Sequence, residues 1–227
     1  MSWKSNLRKN LEAMKWLYSK VDETMEKAAK KYNAPCKSGC YDCCHQLVTM
    51  TLAEGVCIID GIYRSLPRGG SLKSVLNPIL KESSNQFKLL VEDPGMNVER
   101  WFSKKTRCVL LDSEGRCRVY ENRPVACRSH MVTEGSDCSV NSIGAMNPHV
   151  NNHDMIQASL EAGRRFSDAI NIPLGYAPLP AALVWASILY LESRDGLMRK
   201  LKGTVFEDDK AGMSFWVLKL KTMQEIQ

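Results

Sequence analysis

Apolar residues near the N-terminus recur with the spacing of a long amphipathic helix. They follow one another at intervals of three and four residues, the a/d pattern of a helical seam: Leu7, Leu11, Met14, Tyr18, Val21, Met25, Ala28 and Tyr32. The pattern predicts a helix over residues 3–32. Such a seam packs along its own domain or against a partner helix, and we favour the first because Ala and Tyr weaken it.

Shorter helical patterns fill much of the remaining chain. The capping box Thr51-x-x-Glu54 predicts a helix over about 52–65. Pro124 suits the first turn of a short helix that carries Cys127 and Arg128. The other helical segments are 71–92, with a kink or fresh start at Asn77-Pro78, and 153–171, 180–194 and 213–225. Residues 132–151 are rich in Gly, Ser and Asn and are expected to form a loop.

One segment has the pattern of a β-hairpin. Residues 108–111 and 117–120 flank a turn whose Gly115 tolerates a positive φ. We therefore expect a mainly α fold with a small β-hairpin, organised around a cysteine-ligated metal site. Its regions would be a long helix over 1–35, a cysteine-cluster region over 36–140, and C-terminal helices over 141–227 that pack on the same core.

Composition is that of a folded globular protein. The chain has 227 residues, of which 44% are hydrophobic and 25% are charged. The longest apolar stretch, 181–191, is too short to span a bilayer, so we expect no membrane contact. The first residues lack the apolar core of a signal peptide, and a cytoplasmic location, where thiols stay reduced, is therefore expected.

Nine cysteines are the strongest chemical signal in the sequence. Four of them form the knuckle Cys36-x3-Cys40-x2-Cys43-Cys44, and the others that matter here are Cys108, Cys117, Cys127 and Cys138. Clustered thiolates repel one another unless a cation lies among them, and they are strong ligands for Zn²⁺, iron and iron–sulfur clusters. The odd count and the expected compartment favour metal binding over disulfides.

The spacing within the knuckle leaves the number of metal ions open. Two or three residues between ligands let one turn place two sulfurs at about 2.3 Å from one ion. Successive side chains of an extended segment point to opposite sides, so Cys43 and Cys44 would face two metals or one would be spare. Eight thiols suit two four-cysteine sites or one multinuclear site, whereas a single site would leave about four free.

Several motifs in combination resemble a known family. The knuckle is followed by Val48-Thr49-Met50-Thr51-Leu52-Ala53-Glu54, by a second cysteine segment over 108–117, and by Tyr120-Glu121-Asn122-Arg123-Pro124-x-x-Cys127-Arg128. Over residues 36–130 this is similar to the CxxCxxCC cysteine-cluster family, a zinc- or iron-chelating domain of the YkgJ type. The resemblance implies ligands at Cys36, Cys40, Cys43, Cys44, Cys117 and Cys127, with Cys108 and Cys138 as further candidates. The chain departs from the family name by having three residues between its first two cysteines.

The same departure matches another spacing. Cys-x3-Cys-x2-Cys is the motif of radical S-adenosylmethionine enzymes, which place it after the first strand of a β/α barrel. Here the motif follows a long helix, and alternating strands and helices are absent from the pattern. That fold is therefore disfavoured, although an iron–sulfur cluster of another kind stays open.

Polar residues beside the cysteines are candidates for supporting the metal or binding a substrate. His45 and His130 could ligate a metal or hydrogen-bond a sulfur, although solvated loop histidines are the commoner case. Arg123 and Arg128 could neutralise thiolates, hold a carboxylate or phosphate of a substrate, or pair with a local carboxylate such as Glu121. Tyr120, in the same motif, belongs to this set.

Three functions are compatible with these signals. The favoured one is a metal-binding protein with one or two Zn²⁺ ions, whose metal organises the fold and whose surface, through the 3–32 helix, binds a protein partner. The second is an iron or iron–sulfur enzyme of methyl-transfer or redox type. The third is a regulator that binds nucleic acid or the transcription machinery. Its only charge-based support is a net charge of +6. Two sites of metal-bound thiolates would lower that charge by about four.

Overall fold

The fold is mainly helical, as predicted. The computed structural model describes residues 3–36, 39–93, 96–132, 152–172, 176–192, 195–197, 205–208 and 214–217. Its helices are α1 (Trp3–Lys31), α2 (Leu52–Arg64), α3 (Leu72–Glu92), α4 (Val98–Ser103), α5 (Val125–Arg128), α6 (Asn152–Ile170) and α7 (Leu179–Leu191). Its strands are β1 (Thr49–Thr51), β2 (Tyr176–Pro178), β3 (Val205–Asp208) and β4 (Ser214–Val217). None of the helices in these parts of the chain combines the length and hydropathy that a bilayer span requires.

The N-terminal helix lies along its own domain. Its heptad seam is buried from Leu11 to Met25, and Met14 is fully covered. The helices that cover the seam are α2, α5 and α6. Intramolecular packing, the favoured of the two predictions for this seam, is therefore what the structure has.

The centre of the core is the contact between α2 and α7. Ten residues of α2 are buried, and the first eleven residues of α7 are buried on all sides. A Cβ on Gly55 would lie 2.8 Å from the Cβ of Ala186. Only glycine, which has no Cβ, permits this approach of the two helices. The apolar stretch 181–191 thus forms a buried helix because α2 and α3 both pack against it.

The fold contains a four-stranded sheet that the sequence pattern did not predict. Its strand order is β1-β2-β4-β3, with β1 antiparallel to β2, β2 parallel to β4, and β4 antiparallel to β3. The helix predicted over 213–225 is wrong at Ser214–Val217, which is β4, and the rest of that segment lies outside the described residues. Three- and four-residue strands are too short to show a period of two, so pairing between distant segments decides them.

The predicted hairpin at residues 108–120 is reduced to its turn. Leu111 and Cys117 form a single antiparallel bridge, whereas the antiparallel hairpin of the fold is β3–β4. Asp112 holds the turn, because its carboxylate accepts the backbone N–H groups of Glu114 and Arg116 at 2.9 and 2.8 Å. Gly115 has a φ of 81°. This is the left-handed conformation predicted for it. The residues that flank this turn form further turns and irregular structure rather than strands.

Two further predictions concern boundaries. Helix α3 runs without a break through Pro78, so the second half of the segment is neither a fresh start nor a separate helix. The loop predicted over 132–151 falls almost wholly on residues 133–151, which lie outside the described residues.

A buried carboxylate joins the two ends of the cysteine region. The predicted capping box is present, with Glu54 N–H bonded to the hydroxyl of Thr51 at 3.2 Å and Thr51 N–H bonded to Glu54 Oε2 at 2.8 Å. Glu54 Oε1 accepts the N–H of Val125 at 2.8 Å, across 71 residues of sequence. Burial raises the pKa of Glu54, and these hydrogen bonds oppose that rise. One side chain therefore fixes the start of α2 and the start of α5, the helix that carries Cys127.

We expect Glu54→Gln to lower the free energy of unfolding by about 1–3 kcal/mol, because an amide NH₂ cannot accept and leaves Thr51 or Val125 N–H unpaired. The measurement is urea denaturation at matched metal content. The control is Glu12→Gln, on the exposed face of α1. It should change stability by less than about 0.5 kcal/mol, as is usual for surface substitutions. Equal stability of the two variants would show that the buried acceptor contributes nothing.

Candidate metal centre

The cysteine knuckle is built from a glycine turn and a short 3-10 helix. Gly39 has a φ of 86° and directly precedes Cys40. Glycine adopts this left-handed conformation without strain. Residues Asp42–His45 then form the 3-10 helix. Such a helix has about three residues per turn, so neighbouring side chains do not point to opposite sides. The premise that Cys43 and Cys44 lie in an extended segment was therefore wrong.

Six thiols line one cavity of about 90 Å³, which we call the inner cavity. They come from the knuckle, the Asp112 turn and α5: Cys40, Cys43, Cys44, Cys108, Cys117 and Cys127. The N–H of Cys108 donates to the carbonyl of Cys44 at 2.8 Å, which joins the first two segments. The third segment is held by the bond between Glu54 and Val125. The fold thus gathers thiols from three segments that are far apart in the sequence.

Adjacent thiols in the inner cavity are in direct contact. The side chain of Cys44 is hydrogen-bonded to Cys43, and this bond, followed by burial, raises the pKa of Cys43. Both side chains line the same cavity, so Cys43 and Cys44 face one site and not two separated ones.

Burial and mutual repulsion keep these thiols protonated in the absence of a cation. Burial raises the pKa of Cys108 to about 12, and it also raises the pKa of Cys127, with repulsion from Cys108 adding to the rise. The guanidinium of Arg123 acts in the opposite direction on Cys127. A metal ion among the sulfurs would stabilise the thiolate form, because metal binding and loss of the thiol proton are coupled.

The donor set suits a thiophilic metal ion. Among the described residues, no three His, Cys, Asp or Glu side chains are already arranged around a single point as ligands. Six sulfur donors on anchored backbone nevertheless share one small, largely apolar cavity. Sulfur ligands select zinc, iron–sulfur clusters and other soft ions. The chemistry of the site therefore fits zinc or iron held by thiolates.

A second cavity of about 380 Å³, the outer groove, lies between the knuckle and α1. Its α1 side is formed by Asp22, Met25, Glu26 and Ala29. Five residues line both cavities and so form the wall between them: Cys40, Cys43, Tyr120, Arg123 and Cys127. The inner cavity thus adjoins a groove on its α1 side.

The remaining cysteines occupy different environments. Cys36 is exposed and lines the outer groove but not the inner cavity. Cys57 is 2% exposed within α2 and lines neither cavity, which agrees with core packing. Cys138, one of the candidate ligands, lies outside the described residues.

Arg128 is a structural cation that joins α5 to α1. It is only 4% exposed, and its guanidinium lies over the ring of Tyr18 at 4.2 Å from the centroid. It donates to the carbonyls of Arg123 and Glu121 and forms an ion pair with Asp22. The predicted local carboxylate was Glu121, but only its backbone takes part, and the carboxylate comes from α1. Nothing in the sequence could identify Asp22, which is 106 residues away.

Arg123 and Tyr120 stay with the thiols. The guanidinium of Arg123 stacks on the ring of Tyr120 at 3.9 Å, and both residues lie in the wall between the cavities. Stacking holds the guanidinium near Cys43, Cys117 and Cys127, where its charge opposes the rise in their pKa values. The charge-neutralising role of Arg123 stays a prediction.

The two histidines lie at the edge of the site. His45 Nδ1 donates to the carbonyl of Lys105 at 3.1 Å. His130 lines the outer groove, its Nε2 is 3.3 Å from Nε2 of Gln46, and burial lowers its pKa. Neither histidine lines the inner cavity.

Comparison with protein families agrees with this donor set. The profile of the CxxCxxCC family, described as "Putative zinc- or iron-chelating domain", matches residues 35–149, just over half of the chain. The chain belongs to this family. Searches of curated proteins and of solved structures found no match. Membership supports metal binding by this region and does not distinguish zinc from iron.

We expect Arg128→Lys to lower the free energy of unfolding by about 3 kcal/mol, because an ammonium cannot satisfy Asp22 and two carbonyls at once. Urea denaturation measures the loss, and metal content should fall with it since α5 carries Cys127. Arg165→Lys is the matched control, because Arg165 forms an exposed ion pair with Glu161. The Arg165→Lys substitution should lower the free energy of unfolding by less than about 0.5 kcal/mol, because exposed ion pairs contribute little. If Arg128→Lys and Arg165→Lys lowered the free energy of unfolding equally, Arg128 would not be what holds α5 against α1.

Proposed function

We propose that this chain is a cysteine-cluster metal-binding protein in which one or two Zn²⁺ ions, held by the inner thiols, fasten the middle of the fold. The observation that carries the proposal is the gathering of six thiols from three segments around one cavity. Bound there, the metal would supply cross-links between these segments. The chain's own residues would supply the ligands, exclude water from the core side, and hold positive charge at Arg123.

Local structure explains why this region depends on a cross-link. Between α1 and β1, and again between α4 and α5, the described chain consists of turns, two 3-10 helices and one β-bridge. These segments have few repeating backbone hydrogen bonds, and Cys43, Cys44, Cys108 and Cys117 are only partly buried. A structural metal contributes folding free energy directly in such loop-rich regions.

Zinc with four thiolates would be structural rather than catalytic. A closed four-cysteine site has no open coordination position for a substrate. The role would then be to present a surface to another protein in the reducing cytoplasm. Because the seam of α1 is covered within the chain, a partner would contact the outward face of α1, where Trp16 is 65% exposed.

One observation favours a second candidate, an iron or iron–sulfur enzyme. The inner cavity offers more thiols than one tetrahedral ion uses, and it shares a wall with an open groove lined by Arg123 and His130. Iron–sulfur clusters take Cys thiolate ligands, and a groove beside the cluster would admit a substrate. Methyl-transfer or redox chemistry would then be tested with the iron-loaded protein.

Elemental analysis and a visible spectrum of anaerobically purified protein test the proposal. We expect a colourless protein with about one or two equivalents of zinc. Cys43→Ser and Cys127→Ser should each lose metal and destabilise the middle of the fold, because each removes a thiol that borders both cavities. Cys57→Ala, which removes a thiol away from both cavities, should keep its metal.

The contrary outcomes are distinct. Iron with sulfide and broad visible absorption would replace zinc by the iron–sulfur candidate. Retention of full metal and stability by both Cys43→Ser and Cys127→Ser would overturn a thiol-held structural metal altogether.

A further inference from the structure

The seven described cysteines near the two cavities differ in exposure and in the cavity that they line. Cys36 is exposed and lines the outer groove alone. Cys40 is exposed and lines both cavities, and Cys43 and Cys127 are partly buried and also line both. Three further thiols, also partly buried, line the inner cavity alone: Cys44, Cys108 and Cys117. A metal ion could therefore move from the groove to the core between sulfurs that border a common space.

We propose that Cys36 and Cys40 are an entry station for the metal ion, which they capture in the outer groove and pass to the shared thiols Cys43 and Cys127. The inference rests on the proposed metal-binding function and adds a route to it. Cys36 is then a transient ligand and not a member of the final site. This assignment differs from the family resemblance, which implies that all four knuckle cysteines are ligands.

The extra residue in the knuckle has a structural consequence that supports this division. Three residues separate Cys36 from Cys40, and the left-handed Gly39 turns the chain immediately before Cys40. Cys36 remains on the groove side of that turn, away from the inner cavity. A permanent ligand would be expected to line the cavity where the other sulfurs meet.

Carboxylates outnumber guanidinium groups along the groove, which Asp22, Glu26 and Glu121 line together with Arg123 and Arg128. The carboxylate of Asp42 lies 3.6 Å from the sulfur of Cys40. Glu26 lines the groove from α1, together with Asp22, whose charge is balanced by Arg128. A soft ion that first contacts carboxylates and then thiols meets ligands that it binds with increasing preference.

The transfer is a ligand exchange at constant oxidation state. At each step a bond from the ion to an outer sulfur breaks and a bond to an inner sulfur forms. The inner thiol gives up its proton, and the released outer thiolate takes one up. No oxidant or reductant is required.

Exchange kinetics of Cys36→Ser test the proposal, using full-length protein and zinc as the probe. An entry station speeds movement in both directions without changing the equilibrium. We therefore expect zinc release from the holoprotein to a chelator to slow by about tenfold, because the local concentration supplied by the outer thiols is lost. Zinc uptake by the stripped protein should slow by the same factor, with unchanged final content. Cys57→Ser is the matched thiol-to-hydroxyl control and should leave both rates and the final content unchanged.

Three results would contradict the entry station or the proposed function. Faster release or lower zinc content in Cys36→Ser would make Cys36 a permanent ligand, which overturns the entry station and leaves the proposed function intact. Unchanged rates in Cys36→Ser and in the double variant Cys36→Ser/Cys40→Ser would also overturn it. If the unaltered protein binds no zinc, the proposed function itself fails. Cys36 is exposed, so its substitution should not prevent folding.

Discussion

Placing several thiols in one cavity disfavours their thiolate forms, because neighbouring negative charges repel one another. The other charged groups of the site are arranged around this constraint. The hydrogen bond with Cys44, followed by burial, raises the pKa of Cys43, and burial raises the pKa values of Cys108 and Cys127. The thiolate form therefore needs a positive charge among them. The chain supplies part of that charge through Arg123, which is held over Tyr120. A thiophilic cation would supply the rest. This agrees with the match to a family that is described as zinc- or iron-chelating.

The thiols can meet because three long-range interactions fix their backbones. Glu54 fastens α5 to the start of α2, and Arg128 fastens α5 to α1. The bond from Cys108 N–H to Cys44 O joins the Asp112 turn to the knuckle. Both charged groups are buried with their hydrogen bonds satisfied, so removing either leaves unpaired partners in the core. These interactions therefore hold the three cysteine-bearing segments against the helical core.

The site has two sides with different chemistry. The inner cavity is bordered by core residues and by six thiols. The outer groove, bordered by α1 and its carboxylates, faces solvent. Cys40, Cys43 and Cys127 line both spaces, which is the arrangement that the proposed entry route requires. Both the proposed entry route and the iron-dependent alternative depend on this groove beside the inner cavity.

The sequence by itself determined the long α1 helix, the capping box of α2, the buried α7 helix, the short α5 helix and the chemistry of the cysteines. Each of these depends on local periodicity, on a cap within four residues or on side-chain type. Tertiary structure alone decided that Cys43 and Cys44 face one cavity, that Cys36 stays outside it, and that Arg128 pairs with Asp22. It also decided the four-stranded sheet, including β4 where a helix was predicted. These features arise from contacts between segments that are distant in the sequence, and their free energy depends on which surfaces the folded core brings together.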